Sequence, residues 1–201
     1  MMANKKEKKQ DQAEVQIKSF KTSTEWEKWL AENHTSANGI WLRFFKKASG
    51  IKAINYAEAL YEALCYGWID GQAKSYDEQS YLQRFTPRRS KSIWSKRNIE
   101  HIARLEKAGK MKPSGWKEVE AAKADGRWDN AYDPPSEMKI PDDFMEELSK
   151  NKQALAFFES LNKTNKYAVA WRLQTAKKPE TREKRMKIIL EMMAKGEKFH
   201  N

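Results

Sequence analysis

Cysteine, histidine and long apolar runs are all scarce in this sequence, and each shortage excludes a class of protein. Cys65 is the only cysteine in 201 residues, so no intramolecular disulfide can form and the pattern of a disulfide-stapled secreted protein is absent. His34, His101 and His200 are scattered and fit neither HxxxH nor HExxH spacing, so we expect no metal site. No apolar run approaches the roughly 18 to 20 residues of a membrane span, so we expect no membrane insertion.

The chain also lacks the glycine-rich and nucleophile signatures of common enzymes. Neither GxGxxG nor GxxxxGK[ST] occurs, and Gly67 and Gly71 are too sparse to cradle a dinucleotide. Cys65 follows helical core spacing with no histidine near it along the same helix, which favours a buried structural thiol over a nucleophile. The sequence therefore predicts no cofactor and assigns no catalytic residue.

The first residues, MMANKKEKKQDQAE, are polar and charged without periodicity or an apolar signal-peptide core. We interpret residues 1–14 as a disordered basic tail and expect a cytoplasmic location. The whole chain carries 39 Lys and Arg against 28 Asp and Glu, a formal charge of +11. This excess favours anionic partners, such as nucleic acid, nucleotides or an acidic protein surface, without choosing among them.

Alternating and helical patterns predict an α+β domain over residues 15–128. Strands are expected from Val15, over Gly39–Lys47, and in a hairpin of Trp68–Ser75 with Ser80–Phe85. Helices with one apolar face separate and follow these strands. The sequence therefore predicts a small, mostly antiparallel sheet with packed helices.

Capping residues place several helix boundaries. Thr24 with Glu27 resembles a capping box, and Asn55 is placed to cap the following helix. Either Ser92 or Ser95 is suited to begin a helix that runs to about Lys107.

The C-terminal part is predicted to be entirely helical. Residues 129–141, DNAYDPPSEMKIP, concentrate proline and polar residues and are interpreted as a linker. Apolar residues then recur at helical spacing over 142–201, with Thr164 expected to cap one helix and Pro179 to open the last. We interpret 142–201 as a helical subdomain.

A basic and aromatic cluster in the middle of the chain is the strongest functional candidate. Between Gln79 and Ile99 there is no Asp or Glu, while six Arg and Lys residues alternate with aromatic ones. A hairpin that leads into a helix N-terminus brings together backbone N–H groups, hydroxyls and guanidinium forks, which bind phosphate or carboxylate. The predicted ligand-binding set is Trp68, Asp70, Arg84, Thr86, Arg88, Arg89, Ser92, Trp94, Ser95 and Asn98.

A purely structural explanation of the same residues stays open. Pro87 and its flanking arginines are suited to a simple turn, and Ser92 or Ser95 to capping alone. Asp70 is suited to bonding its own backbone in an Asx-turn.

Several long segments of the sequence resemble one known family. YAEALYEALCYGWIDG, QRFTPRRSKSIWSKRN, ARLEKAGKMKPSGW, AKADGRW and AKKPETREKR, in this order, resemble the YdeI/OmdA family, also called the bacteriocin-protection or OmpD-associated family. The resemblance runs from about Val15 to Gly196 and implies a role in bacteriocin tolerance or stress, with no established catalytic mechanism. The lack of a visible export signal argues against direct porin association.

Three functional hypotheses follow. The first is a protein that binds a small anionic ligand through the central cluster. The second is a nucleic-acid-binding protein that adds the basic C-terminal residues Lys177, Lys178, Arg182, Lys184, Arg185 and Lys187. The third is an enzyme with Asp70 as acid or base and the arginines stabilising negative charge.

Overall fold

The structure is a computed structural model that describes residues 16–200. The chain divides into two compact units: one contains the residues up to 92 and 101–126, and the other contains 93–100 and the residues from 127 onward. The predicted tail over 1–14 lies outside the described residues. The predicted linker and domain boundaries stay a prediction.

The first unit contains a four-stranded sheet. Its strands are β1 (Ile17–Lys18), β2 (Ile40–Phe45), β3 (Trp68–Ser75) and β4 (Ser80–Pro87), in the spatial order β1-β2-β4-β3. β1 runs parallel to β2, whereas β2, β4 and β3 pair antiparallel. Together with the helices, this confirms the predicted α+β class with a small, mostly antiparallel sheet.

Four helices belong wholly or partly to the first unit. They are α1 (Ser23–Asn33), α2 (Tyr56–Cys65), α3 (Lys96–Lys107) and α4 (Pro113–Ala124), and α3 begins in the segment that groups with the second unit. The cap predicted at Asn55 is confirmed, because its side chain accepts from the Glu58 N–H. The Glu58 carboxylate also accepts from the Asn55 N–H, so the two residues form a capping box. The cap predicted at Thr24 is wrong.

The start of α1 lies two residues earlier than the sequence suggested. The Thr22 hydroxyl accepts from the Glu25 N–H at 3.2 Å, so the capping pair is Thr22 with Glu25. Both pairs have the same spacing, and only Thr22 has the extended backbone that a capping residue requires.

Large aromatic side chains pack between the sheet and helices α1 and α2. The ring of Trp26 lies 5.9 Å from that of Phe85 and 6.5 Å from that of Trp68, both edge-on. The Trp26 indole N–H donates to the Ala59 carbonyl at 3.0 Å, so this buried polar group is satisfied. Burial of these rings holds α1 and α2 on one face of the sheet.

The end of α2 and the start of α4 meet backbone to backbone. A Cβ added at Gly115 would lie 2.2 Å from the Cys65 carbonyl oxygen, so only glycine fits there. Gly67, which follows the end of α2, has φ +75°, and its own added Cβ would lie 2.8 Å from the Ser114 carbonyl oxygen.

The second unit is helical, as predicted for the C-terminal part. It contains α5 (Asp142–Ser149), α6 (Lys152–Ser160), α7 (Lys163–Gln174) and α8 (Pro179–Ala194). The cap predicted at Thr164 is wrong, because the Asn162 side chain accepts from the Asn165 N–H and begins α7 two residues earlier. The centre of its core consists of Phe144, Leu148, Phe158, Val169, Leu173, Ile189 and Met193.

Residues 93–100 join this second unit through specific contacts. Ser95 forms a bridge with Tyr132, and the Lys96 ammonium lies 2.5 Å from an Asp133 carboxylate oxygen. Gln174 also bonds the Asp133 carboxylate, and these two donors lower the pKa of Asp133. Among residues 16–200, no helix has both the length and the apolar character needed to cross a bilayer.

Candidate functional site

The face of the sheet opposite α1 and α2 carries aromatic and basic side chains. Successive residues of a strand point to alternate faces, and residues paired across strands share a face. The pairs Trp41 with Arg84 and Ile69 with Thr86 therefore point away from the helices, since Ile40 and Phe85 point toward them. We call this surface the outer sheet face, and it consists of Trp41, Arg43, Phe45, Ile69, Lys74, Leu82, Arg84 and Thr86.

Trp41 is the centre of this face. The Lys74 Nζ lies 4.4 Å from its ring centroid, and the Arg84 guanidinium carbon lies 5.9 Å from it. Both distances fall within the range of cation–π attraction. Trp41 and Arg84 are half-buried and Lys74 is exposed, so ring and cations all reach the surface.

The third cation of this face is neutralised. Arg43 donates to the Asp77 carboxylate at 2.6 Å and to the Ser80 hydroxyl at 2.9 Å, and its guanidinium also lies over the rings of Phe45 and Tyr76. The Ser80 hydroxyl and Arg43 both lower the pKa of Asp77. Within residues 16–200, neither Lys74 nor Arg84 lies within ion-pair distance of a carboxylate.

Glycine leaves room for Arg84 and Thr86 at the start of β2. A Cβ added at Gly39 would lie 2.9 Å from the Thr86 methyl and 3.6 Å from the Arg84 Nε, and its φ of +141° is one that other residues rarely adopt.

Trp68 and Asp70 point to the opposite, helix-covered face. Trp68 is fully buried, and its indole N–H donates to the His34 carbonyl at 3.1 Å. The Asp70 carboxylate accepts from the Tyr56 hydroxyl at 2.8 Å, which links β3 to the first turn of α2. Both side chains therefore make contacts that stabilise the fold, on a different surface from Arg84 and Thr86.

Arg88, Arg89 and Ser92 lie in the loop after β4. The Arg88 N–H donates to the Gly67 carbonyl at 2.9 Å, and its side chain is buried. The Ser92 hydroxyl accepts from the Arg89 N–H at 3.0 Å while the Ser92 N–H donates to the Arg89 carbonyl at 2.8 Å. Ser92 therefore closes a turn, and the exposed Arg89 side chain lies at that turn.

Trp94, Ser95 and Asn98 belong to the second unit. Trp94 is buried with its ring 5.0 Å from that of Trp128, as expected of a core residue. The Ser95 hydroxyl accepts from the Asn98 N–H at 3.1 Å, so of the two predicted capping serines Ser95 begins α3. The assignment of the ten residues as a ligand site stays a prediction.

Sequence reasoning missed Trp41 and Lys74 as members of a shared surface. The run GIWLRFFKK places Trp41, Arg43 and Phe45 at alternate positions, which is the signal that one strand face carries rings and a cation. The sequence around Lys74 contains no comparable pattern that places Lys74 on this face.

Cys65 lies in the core, and its thiol is unreactive there. It is fully buried, and burial together with the nearby Glu62 carboxylate raises the pKa of its thiol to about 12. In the part of the chain that the structure describes, no group of three or more His, Cys, Asp or Glu side chains is arranged to hold a metal ion.

Two family models match the chain. Residues 18–118 match a domain of unknown function (DUF8412), and residues 137–196 match the family described as Bacteriocin-protection, YdeI or OmpD-Associated. No curated protein and no solved structure matches the chain. The chain therefore belongs to the DUF8412 family, whose model covers half of it, and its C-terminal part is similar to the YdeI/OmdA family.

The two matches assign the sequence segments that carried the resemblance to different families. AKKPETREKR lies inside the YdeI/OmdA match, which confirms the family. YAEALYEALCYGWIDG and QRFTPRRSKSIWSKRN lie inside the DUF8412 match instead. The central cluster and the outer sheet face thus belong to the domain of unknown function.

Proposed function

We propose that this protein binds a small anionic ligand, bearing a phosphate or carboxylate group, on the outer sheet face of its first unit. The observation that carries the proposal is the arrangement of Lys74 and Arg84 around Trp41 with no carboxylate partner among the described residues. Arg43 on the same face is already neutralised by Asp77, so the free positive charge is concentrated at Trp41.

An anion at this place gains from several groups at once. Two like charges that share one ring repel each other, and an anion between them removes that repulsion. The Arg84 guanidinium offers a planar fork of donors that matches carboxylate and phosphate, and Lys74 adds a compact ammonium. The Thr86 hydroxyl lies on the same face and adds a neutral donor.

The half-buried indole favours ligands that also carry a flat ring. A ring stacked on Trp41 buries apolar surface at little entropic cost, because two neighbouring side chains already hold the indole. A nucleotide-like molecule combines such a ring with a phosphate. The family description names bacteriocin protection and supports placing this binding in a tolerance response.

Nucleic acid is the second candidate, because exposed aromatic rings beside cations are also the means by which proteins hold single strands. The basic residues of the second unit support it less than their number suggests. Arg182 is occupied by Asp143 in a two-bond ion pair, and Arg185 donates to the Arg172 carbonyl at 2.7 Å. Lys177, Lys178, Lys184 and Lys187 remain exposed.

Titration calorimetry with inorganic phosphate, pyrophosphate, adenosine monophosphate and citrate tests the first candidate. We expect Lys74→Gln and Arg84→Gln each to weaken binding about tenfold or more, since a hydrogen bond to a charged group contributes roughly 1.5–3 kcal/mol. Lys28→Gln, an exposed lysine on α1, is the matched control and should bind as the wild type does. The proposal is wrong if no probe binds, or if all three variants behave alike.

Oligonucleotides of increasing length distinguish the two candidates. Binding that strengthens with strand length and weakens steeply with salt would favour nucleic acid, because each neutralised phosphate releases counterions. Binding of the mononucleotide with equal strength favours the small ligand.

A further inference from the structure

A cavity in the first unit lies away from the outer sheet face. It has a volume of about 280 Å³ and is bounded by the start of α1, one side of α2 and the second half of α3. Glu58, Tyr61 and Glu62 occupy one side of α2, because they are three and four residues apart. His101, Arg104 and Leu105 follow the same spacing on α3, and Ser23, Ala108 and Lys110 complete the lining.

The floor of the cavity is apolar and aromatic. The ring of His101 lies edge-on to that of Tyr61, with centroids 4.9 Å apart, and Leu105 is buried beside them. The lining also carries charges of both signs, with Glu58 and Glu62 from α2 on one side and Arg104 and Lys110 as the cations.

Glu62 is the unusual member of this set. It is only 7% exposed, and its one ion pair among the described residues is with Lys110 at 3.3 Å. The side chain of Lys110 is itself 56% exposed, so this is a loose partner. A carboxylate has about four acceptor positions, and a buried one is costly unless those positions receive donors.

Arg104 has the complementary property. Its side chain lines the cavity, and within residues 16–200 it forms neither an ion pair nor a hydrogen bond with another residue. A guanidinium is a donor-only group with a planar fork that fits a carboxylate in two parallel bonds.

We propose that this cavity binds a free α-amino acid. The ammonium of the amino acid donates to Glu62, its carboxylate accepts from the Arg104 fork, and its side chain lies on Tyr61 and Leu105. A ligand of one charge sign satisfies only one of the two groups, whereas a zwitterion satisfies both. The volume is slightly below that of pockets for drug-sized molecules, which are about 300–1,000 Å³, and suits a smaller metabolite.

Calorimetry of the full-length protein with each standard L-amino acid tests the proposal. At least one amino acid is expected to bind at millimolar concentration or below. Its amide keeps the ammonium and lacks the carboxylate, and its N-acetyl form keeps the carboxylate and lacks the ammonium. Both derivatives should bind about tenfold more weakly or worse, because each loses a charge-assisted hydrogen bond.

Two variants assign the contacts to their residues. Arg104→Gln should weaken the amino acid about tenfold and leave its amide unchanged, and Glu62→Gln should weaken the amino acid and leave the N-acetyl form unchanged. Lys107→Gln, an exposed cation on α3 outside the lining, is the control. If Glu62→Gln does not fold, the exposed Arg104 variant still decides.

The proposal is overturned if no amino acid binds the wild type, if the amide binds as well as the amino acid, or if Arg104→Gln behaves like the control. These outcomes are independent of the outer sheet face, whose variants leave this cavity intact.

Discussion

The Nζ atom of Lys74 lies 4.4 Å from the ring centroid of Trp41, although β2 and β3 are separated in the sheet by β4. Leu82 on β4 lies in register with Lys74 and is fully buried on this otherwise accessible face. The aliphatic stem of Lys74 and the indole therefore cover Leu82 while the ammonium remains in solvent.

This contact should be measurable as a coupling energy. We expect the double-mutant cycle of Trp41→Leu and Lys74→Gln to give a coupling of roughly 0.5–1 kcal/mol in the free energy of unfolding, the magnitude of exposed cation–π pairs. Urea denaturation of the four proteins measures it. A parallel cycle with Lys47→Gln, a lysine outside the sheet, should give no coupling, and equal values in both cycles would contradict the contact.

The position of Lys74 explains why the sequence predicted the hairpin but not which of its residues lie on the outer sheet face. Strand alternation and the intervening turn are local signals, so β3 and β4 were predicted almost residue for residue. Asp70 pairs with Phe85 but Ala73 pairs with Gln83, so β3 contains an extra residue between them. This bulge moves Lys74 to the face opposite Asp70, and simple alternation places both on the same face.

The grouping of residues 93–100 with the second unit was equally impossible to predict from the sequence. Ser95 as a helix cap is readable from its neighbours, because capping involves residues three apart. Its bridge to Tyr132 and the bond of Lys96 to Asp133 join positions more than thirty residues apart, and nothing local in the sequence indicates them. The residues of the predicted site lie in one segment of the sequence, but in the structure they belong to two different units.

Gly115→Ala should be strongly destabilising. The added methyl would lie 2.2 Å from the Cys65 carbonyl oxygen, and backbone cannot move aside as a flexible side chain does. We expect a loss of about 3 kcal/mol or more in the free energy of unfolding, measured by thermal or urea denaturation.

Gly71→Ala is the control for this substitution. Its nearest neighbour would be the Arg84 carbonyl oxygen at 3.8 Å, an ordinary contact. A Gly115 variant as stable as the Gly71 variant would show that α2 and α4 are not in backbone contact.

Asp77 should make the hairpin sensitive to acid. Its folded pKa lies below the ordinary value, mainly because the Ser80 hydroxyl donates to it, with Arg43 adding attraction. The stabilisation is therefore present above the unfolded pKa of about 3.9 and is lost as pH falls through the folded pKa.

Urea denaturation as a function of pH tests this dependence. Asp77→Asn should be less stable than the wild type at neutral pH, and the difference should disappear in acid. Glu78→Gln is the matched control from the same turn, where, among the residues that the structure describes, Glu78 contributes only its backbone carbonyl, to Lys46. A wild-type advantage that persists below the folded pKa of Asp77 would exclude the carboxylate as its source.

Cys65 provides a single-thiol report on the unfolding of the first unit. Its side chain is fully buried and its thiol pKa is raised to about 12, so at pH 8 almost no thiolate exists in the folded protein. Because thiolate is the reactive form, iodoacetamide should label native protein far more slowly than protein in denaturant, where the pKa returns to about 8.5. The labelling rate should rise with urea in step with unfolding followed by tryptophan fluorescence.

A Lys52→Cys variant adds an exposed thiol as the control and should gain one fast-reacting group. Rapid labelling of Cys65 in native wild-type protein would mean that α2 opens locally, and would separate its stability from that of the rest of the unit.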